Sequence, residues 1–466
     1  MDDTAPAPHN QDAAAVTDRL RRTFATNHTK PQEWRRAQLE ALRTMLTVEE
    51  PALQQALEAD LGKCATEAYV TELGFLRAEL DYALSHLTQW IRPRRVATTL
   101  PLLPSRARTV REPLGVVLII SPWNYPLNLA LAPLIGAIAA GNCAVIKPSE
   151  LAPATSKVLA SLVPRYLDHE AIAVIEGGIP ETTALLQQRF DHIFYTGNST
   201  VARIVMTAAA KNLTPVTLEL GGKSPTVVES GVDMATVARR LAWGKFMNAG
   251  QTCVAPDYVL ALGDTAAELE SQLSTAVAEM YGSNPVHSPD YGRIINERHF
   301  DRLSGMLDSG RIVTGGETDR SQRYIAPTVL ADVDPDASIM REEIFGPILP
   351  ILSVPDLNGA IELINGRERP LALYAFTESK RTRRRLMTET SSGGLAFGIP
   401  NAHLSVPTLP FGGVGESGMG GYHGAYSFET FSHAKAVLEK SLTPDTMLPS
   451  YPPYSRMKNR LLRRLL

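Results

Sequence analysis

Residues 115–147 read GVVLIISPWNYPLNLALAPLIGAIAAGNCAVIK. Two short β-rich runs, Gly115–Ser121 and Cys143–Lys147, flank an apolar helical stretch, Leu127–Ala140. Pro122, Trp123, Asn124 and Pro126 interrupt the chain between the first run and that helix. Strand, turn, buried helix and second apolar strand form the repeating unit of a parallel sheet covered on both faces. With Pro133 inside the helix as well, no run reaches the ~18 clean apolar residues that a membrane span requires. The alternation continues through Thr155–Leu167, Ala171–Glu176, Thr182–Gln188 and His192–Tyr195, so this part of the chain reads as doubly wound α/β.

Working outward, a second α/β pattern begins near Thr217. Its strands are expected at Thr226–Val228, Asp257–Leu262, Ile348–Ser353 and Leu371–Thr377, with a long helix near Val232–Met247. Upstream, Val16–Trp90 is helical by its three- and four-residue apolar spacing, and Pro93–Pro104 breaks that pattern into an extended crossing arm. Phe411–Gly424 (FGGVGESGMGGYHG) is expected to be loop, because so many glycines weaken any regular element. Arg381–Arg385 reads as an exposed helix face. Arg456–Leu466 (RMKNRLLRRLL) reads as a basic amphipathic helix, either docked on a neighbour or in weak contact with an anionic membrane. The first fifteen residues, MDDTAPAPHNQDAAA, lack the basic start and apolar core of a secretory signal and read as a short disordered lead.

The 466 residues suggest about two or three domains and need no disulfide or metal to hold a core. Lys and Arg number 46 against 49 Asp and Glu, a net charge of −3 that gives no sign of a nucleic-acid partner. Cys64, Cys143 and Cys253 stand at unrelated spacings with no CxxC pair, which argues against a disulfide framework or zinc site and for a reducing cytoplasm.

Cys253 lies in Asn248–Pro256 (NAGQTCVAP), at a helix end or tight turn where backbone N–H groups are free to act as donors. A thiol attacks as thiolate, so a reactive Cys253 requires donors and positive potential around it; otherwise it is a buried structural cysteine. Cys64, among Gly62, Lys63 and Glu67 on a helical surface, and Cys143, in a strand, are taken as structural. Glu219 ends an apolar strand in Thr217–Ser224 (TLELGGKS), where open α/β sheets place ligands; it is either a ribose- or ion-pairing carboxylate or a base that activates water. Asn124, fixed between prolines in SPWNYP, is either a turn residue or an amide donor to an oxyanion. Lys147 and Glu150 in IKPSE can grip ribose hydroxyls, and a carboxylate there repels a 2′-phosphate. In Tyr195–Ala202 (YTGNSTVA), a helix start behind Gly197 suits a pyrophosphate, although only one glycine of the GxGxxG pattern is present. In Arg341–Pro347 (REEIFGP), Glu343 and Phe345 either hold a nicotinamide riboside or simply end a charged helix.

The order SPWNYP, IKPSE, YTGNST, LELGGKSP, GQTCVAP, EEIFGP resembles the aldehyde dehydrogenases. The resemblance is close to their class 3 branch, which acts on fatty and aromatic aldehydes, and it extends through Ile193–Pro225, Ala242–Tyr258, Leu409–Gly424 and the YPPY at Tyr451. It implies a Rossmann-like NAD(P)-binding domain (1–92 and 112–216), an α/β catalytic domain (217–425) and a small oligomerisation arm with the C-terminal segment (93–111 and 426–466) that completes a partner's sheet in a homodimer. It further implies Cys253 as nucleophile, Asn124 as oxyanion donor and Glu219 as base, with no metal. Contacts to NAD, or to NADP, fall to Trp123, Lys147, Glu150, Thr196, Gly197, Asn198, Ser199, Leu220, Glu343 and Phe345. The reaction implied is oxidation of an aldehyde to its acid through a thiohemiacetal and a thioester. Glu343 is a second carboxylate able to share the base role. Three positions qualify the resemblance. Ala202 replaces the last glycine of the phosphate turn, Gly398 and Ile399 stand where relatives carry Asn-Asp, and His423 matches the branch as a structural or interface histidine. The competing readings are an acylating dehydrogenase that hands the acyl group to coenzyme A or phosphate, a redox-free cysteine hydrolase or transferase, and a non-catalytic descendant of the fold.

Overall fold

The computed structural model describes residues 12–465. Its described residues contain two large sheets, one of three strands, and a two-stranded ladder of Thr318–Asp319 with Tyr324–Ile325. The first runs in the order Ile172–Val174, Cys143–Lys147, Val116–Ile120, His192–Thr196, Val216–Glu219, Gly418–Met419, parallel except for the last strand. Chain order reverses between Val116–Ile120 and His192–Thr196, and at such a switch point a crevice opens outside the carboxyl ends of the strands. Four strands are buried along their whole length, which is why they read as continuous apolar runs rather than alternating ones. The helix Asn128–Ala140 has every residue from Leu129 onward buried, so it packs on all sides. Gly141 ends it at φ +91°, and the buried Arg35 donates to the carbonyl of Ala139 at 3.1 Å.

The second sheet runs Arg311–Thr314, Thr328–Ala331, Ile348–Val354, Tyr258–Leu262, Pro225–Val228, Ala372–Phe376, Gly394–Phe397, with only the first strand antiparallel. The strand Val216–Glu219 leaves the first sheet at its carboxyl edge, and after residues 220–224 the strand Pro225–Val228 enters the second. By sheet membership the two halves meet at 220–224, a few residues beyond the expected 216/217, because Glu219 pairs with Thr196. The Gly-rich stretch also returns to the first sheet, where Gly418 and Met419 form a short edge strand within the expected loop.

The third sheet joins Arg94–Val96, Ser105–Pro113 and Ser432–Lys440, all antiparallel. The crossing arm and the C-terminal segment therefore pair within one chain, from Ser105 with Lys440 to Pro113 with Ser432. Four helices, Ala13–Ala25, Gln32–Val48, Glu50–Leu61 and Gly74–Ile91, pack their apolar stripes onto the first sheet's core. Of the expected disordered lead, residues 1–11 lie outside the described residues. Asp12 accepts from the Ala14 N–H at 3.0 Å and starts a helix at Ala13, so residues 13–15 are ordered.

Candidate active site

The carboxyl ends of four parallel strands deliver the expected residues to one edge. Asn124 follows Ile120, Lys147 and Glu150 follow the next strand, Thr196–Ser199 the third, and Glu219 the fourth. From the second half, the helix Met234–Phe246 runs into a turn at Met247–Gly250, then Cys253, then the strand Tyr258–Leu262. Asn248, Ala249 and Gly250 have φ of +55°, +50° and +73°, a left-handed stretch that sharply redirects the chain ahead of the cysteine.

Cys253 is half-buried, and the backbone N–H groups of Cys253 and Val254 point to its sulfur. Donors are thus present as the sequence suggests. The expected positive potential is not. Burial, then the Glu343 and Glu219 carboxyls, push the thiol well above its ordinary value. Burial thereby favours the protonated thiol.

Glu219 is 2% exposed, and neither carboxyl oxygen finds a partner among the described residues. Burial alone raises its pKa well above the carboxylate range. Glu343 folds over the Gly221–Gly222 turn, where it accepts the Gly222 N–H, and burial pushes it up to about 8. A Cβ at Gly221 would collide with the Glu343 carboxyl, so this close approach needs glycine. The Leu220 N–H donates to the Ser417 carbonyl at 3.1 Å.

Asn124 is buried, and its side-chain amide donates to the Gln251 carbonyl at 3.0 Å, tying the SPWNYP turn to the cysteine loop. Trp123 lies edge-on to Phe345, whose φ is +50°, with centroids 5.3 Å apart. The Lys147 ammonium is buried, donating to the Pro148 carbonyl at 2.7 Å and to Glu150 Oε2 at 3.4 Å, while the Glu150 side chain is half exposed. Thr196 Oγ1 is buried with no protein partner, and Asn198 Oδ1 caps the helix Ser199–Ala210 by accepting the Val201 N–H at 3.0 Å. One N–H of that helix start is therefore already taken, and those of Ser199 and Thr200 remain for a phosphate. Ala202 faces the core, 2% exposed. Gly398 has φ +78° and Ile399 is exposed. His423 is buried against Tyr422, with ring centroids 4.1 Å apart, and its Nδ1 lies 3.9 Å from Glu79, a structural setting.

Several charges near the site have no role in the sequence reading. Lys63, read from the sequence as part of a helical surface, is 1% exposed and paired with Glu72 beneath Asn124. Lys245 is fully buried, its ammonium has no hydrogen-bond partner among the described residues, and burial lowers its pKa to about 8. Lys223 pairs with Asp257, whose other oxygen accepts the Ile344 N–H at 3.0 Å. Lys245 is a lysine within an otherwise apolar helical period, a pattern that surface helices share, and Lys63 stands in the break between the helices Glu50–Leu61 and Ala65–Ala68, where lysines are usually solvated.

The model of the aldehyde dehydrogenase family matches residues 3–437. This chain belongs to the aldehyde dehydrogenase family. It is 50% identical to rat aldehyde dehydrogenase family 3 member B1 over 444 residues, 95% of each chain. It is also 50% identical to mouse family 3 member A2, covering 94% of this chain and 91% of that one. Among solved structures, the substrate-bound state of Staphylococcus aureus AldH superposes with a TM-score of 0.95 at 45% identity, covering 97% of this chain and 98% of that one. A Mycobacterium tuberculosis aldehyde dehydrogenase complexed with NAD+ gives 0.82 at 29% identity, covering 91% and 90%. This aldehyde dehydrogenase is thus an oxidoreductase that converts aldehydes to acids with NAD(P). Its residues fit a dinucleotide: among the described residues Thr196 Oγ1 is an orphaned buried hydroxyl, and it lies beside a helix start.

Proposed function

We propose that Cys253 is the nucleophile of this aldehyde dehydrogenase, that Asn124 and the Cys253 N–H hold the oxyanion, and that Glu219 is the base for hydrolysis. The observation that carries the reading is Glu219, a buried carboxyl with no partner among the described residues, near the half-buried Cys253 thiol. Such a group is expensive to keep, and burial holds its pKa above the ordinary carboxylate range, as is common for acid–base groups in active sites.

The Cys253 sulfur bonds to the aldehyde carbon, the carbonyl π pair moves onto oxygen, and the thiol proton passes to a carboxylate, Glu219 or Glu343. The Asn124 amide and the Cys253 N–H stabilise the alkoxide. A bound nicotinamide supplies the two-electron acceptor for the hydride that leaves the thiohemiacetal carbon. The proton taken from the thiol passes to solvent, leaving Glu219 a carboxylate. Glu219 then takes a proton from water as the water oxygen attacks the thioester, the C–S bond breaks, and that proton passes from Glu219 to the departing sulfur. The base would be superfluous if coenzyme A took the acyl group, so its presence favours hydrolysis. Trp123, Lys147, Glu150, Thr196, Gly197, Asn198, Ser199, Leu220, Glu343 and Phe345 are assigned to NAD, with NADP a weaker ligand because of the Glu150 carboxylate. Replacing Cys253 tests the core assignment. Cys253→Ala should lower NADH formation by at least about 10³-fold, and turnover near wild type with any good aldehyde would refute it.

The first sheet with its helices is assigned to cofactor, the second to catalysis, and the third to a homodimer, since Ser432–Lys440 leaves one ladder edge free. A light-scattering mass of one chain would refute the dimer. Among the described residues no helix is long and apolar enough to cross a membrane. A cytoplasmic enzyme whose basic tail makes weak contact with anionic lipid fits these features.

A further inference from the structure

Beneath Asn124 lies an ion pair that belongs to none of the six motifs. The Lys63 side chain is fully buried; its ammonium donates to Glu72 Oε1 at 2.6 Å and to the Asn124 carbonyl at 3.0 Å. It also sits 4.0 Å from the centroid of the Tyr125 ring. Glu72 Oε2 accepts the N–H groups of Leu127 and Asn128 at 2.9 and 3.1 Å, ahead of the helix Asn128–Ala140. Glu72 reaches them from a π-turn, Tyr69–Leu73, an irregularity that recurs at functional sites.

A second arm meets the first at the same carbonyl. Asn248 Nδ2 donates to the Asn124 carbonyl at 2.8 Å and to the Gln251 carbonyl at 3.1 Å. The Asn248 N–H in turn donates to Glu67 Oε1 at 3.0 Å, and Asn248 opens the left-handed stretch that leads to Cys253. The Tyr125 and Thr252 hydroxyls close the ring at 2.5 Å.

Burying two charges costs several kcal/mol each, and an apolar pair of the same volume would often serve stability equally well. Here every partner of the pair lies in residues 124–128. We propose that Lys63 and Glu72, seconded by Glu67 through Asn248, are positioning residues that fix the Asn124 amide relative to the Cys253 sulfur. The inference rests on Asn124 being the oxyanion donor.

A double-mutant cycle of Lys63→Met with Asn124→Ala tests both and separates them. Asn124→Ala should lower kcat about 10²-fold, as loss of one oxyanion donor does. Lys63→Met should lower it about 10- to 10²-fold, the cost of misplacement by about an ångström, with KM for NAD within about twofold. In the Asn124→Ala background the second substitution should cost less than about twofold. Alkylation of Cys253 by iodoacetamide, which forms no oxyanion, should keep its wild-type rate in Lys63→Met. Additive losses, or alkylation slowed in step with kcat, would mean a merely structural pair and overturn the inference. An Asn124→Ala enzyme with wild-type kcat would instead remove the oxyanion reading on which it stands. If Lys63→Met fails to fold, the neutral pair Lys63→Met with Glu72→Gln carries the same cycle, and wild-type kcat in that pair overturns the inference.

Discussion

Glu343 and Glu219 lie near Cys253, and each is held by burial above its ordinary range. For Glu343 the folded state keeps its proton up to about pH 8, whereas the unfolded chain loses it near 4.5. A carboxyl raised in this way contributes stability that is fully present below the unfolded value and is lost as pH rises through the folded one. Glu343→Gln should therefore match the wild-type melting temperature near pH 5 and exceed it increasingly up to about pH 8, with a constant gap beyond. Parallel melting curves from pH 5 to 9 would show that this carboxyl carries no raised pKa. The sequence offered Cys253 and its donors, because small residues and Pro256 mark a turn. It did not offer the sign of the potential, which depends on a carboxyl ninety positions downstream folding back over Gly221. The burial of Lys63 is hidden from the sequence for a related reason: a lysine between two helices looks solvated until the residue above it, here Asn124, is known.

The elements were the most legible part. Cys143–Lys147 is observed with its expected ends, and the other expected strands of the first sheet shift by one or two residues. Buried parallel strands announce themselves by unbroken apolar runs, and helix ends by Gly141 or Asn198. Partnership between distant elements was less legible, since nothing local in Ser105–Pro113 marks its pairing with Ser432–Lys440. The tail is an intermediate case. Helix Arg456–Leu465 forms as its spacing suggests, with Met457 81% and Leu461 43% exposed beside Arg456, Arg460, Arg463 and Arg464. Each basic residue near an anionic bilayer is worth about 1 kcal/mol. Removing residues 441–466 should leave the NADH rate in solution within about twofold and abolish sedimentation with phosphatidylserine vesicles. Equal sedimentation of the truncated and full chains would contradict lipid contact by the tail.

Across the whole molecule, the arrangement brings strand ends and loops from both halves to the proposed site, whose residues are spread from Asn124 to Phe345. The carboxyl edge of the first sheet supplies Asn124, Thr196 and Glu219, and the loop entering the second sheet supplies Cys253. Residues 220–224 join the two, which lets one Gly–Gly turn face both the carboxyl Glu343 and the strand that carries Glu219. The family match spans nearly the entire chain, and with it comes the activity. The central claim is that an acyl group passes through Cys253 and leaves by water that Glu219 activates. Glu219→Gln should trap it. After mixing with NAD and a good aldehyde and an acid quench, intact-mass and peptide mapping should find about one acyl group per chain, on Cys253, formed with a burst of NADH. An unmodified Cys253 under conditions where NADH is still produced, or an acyl group on another residue, would contradict the account.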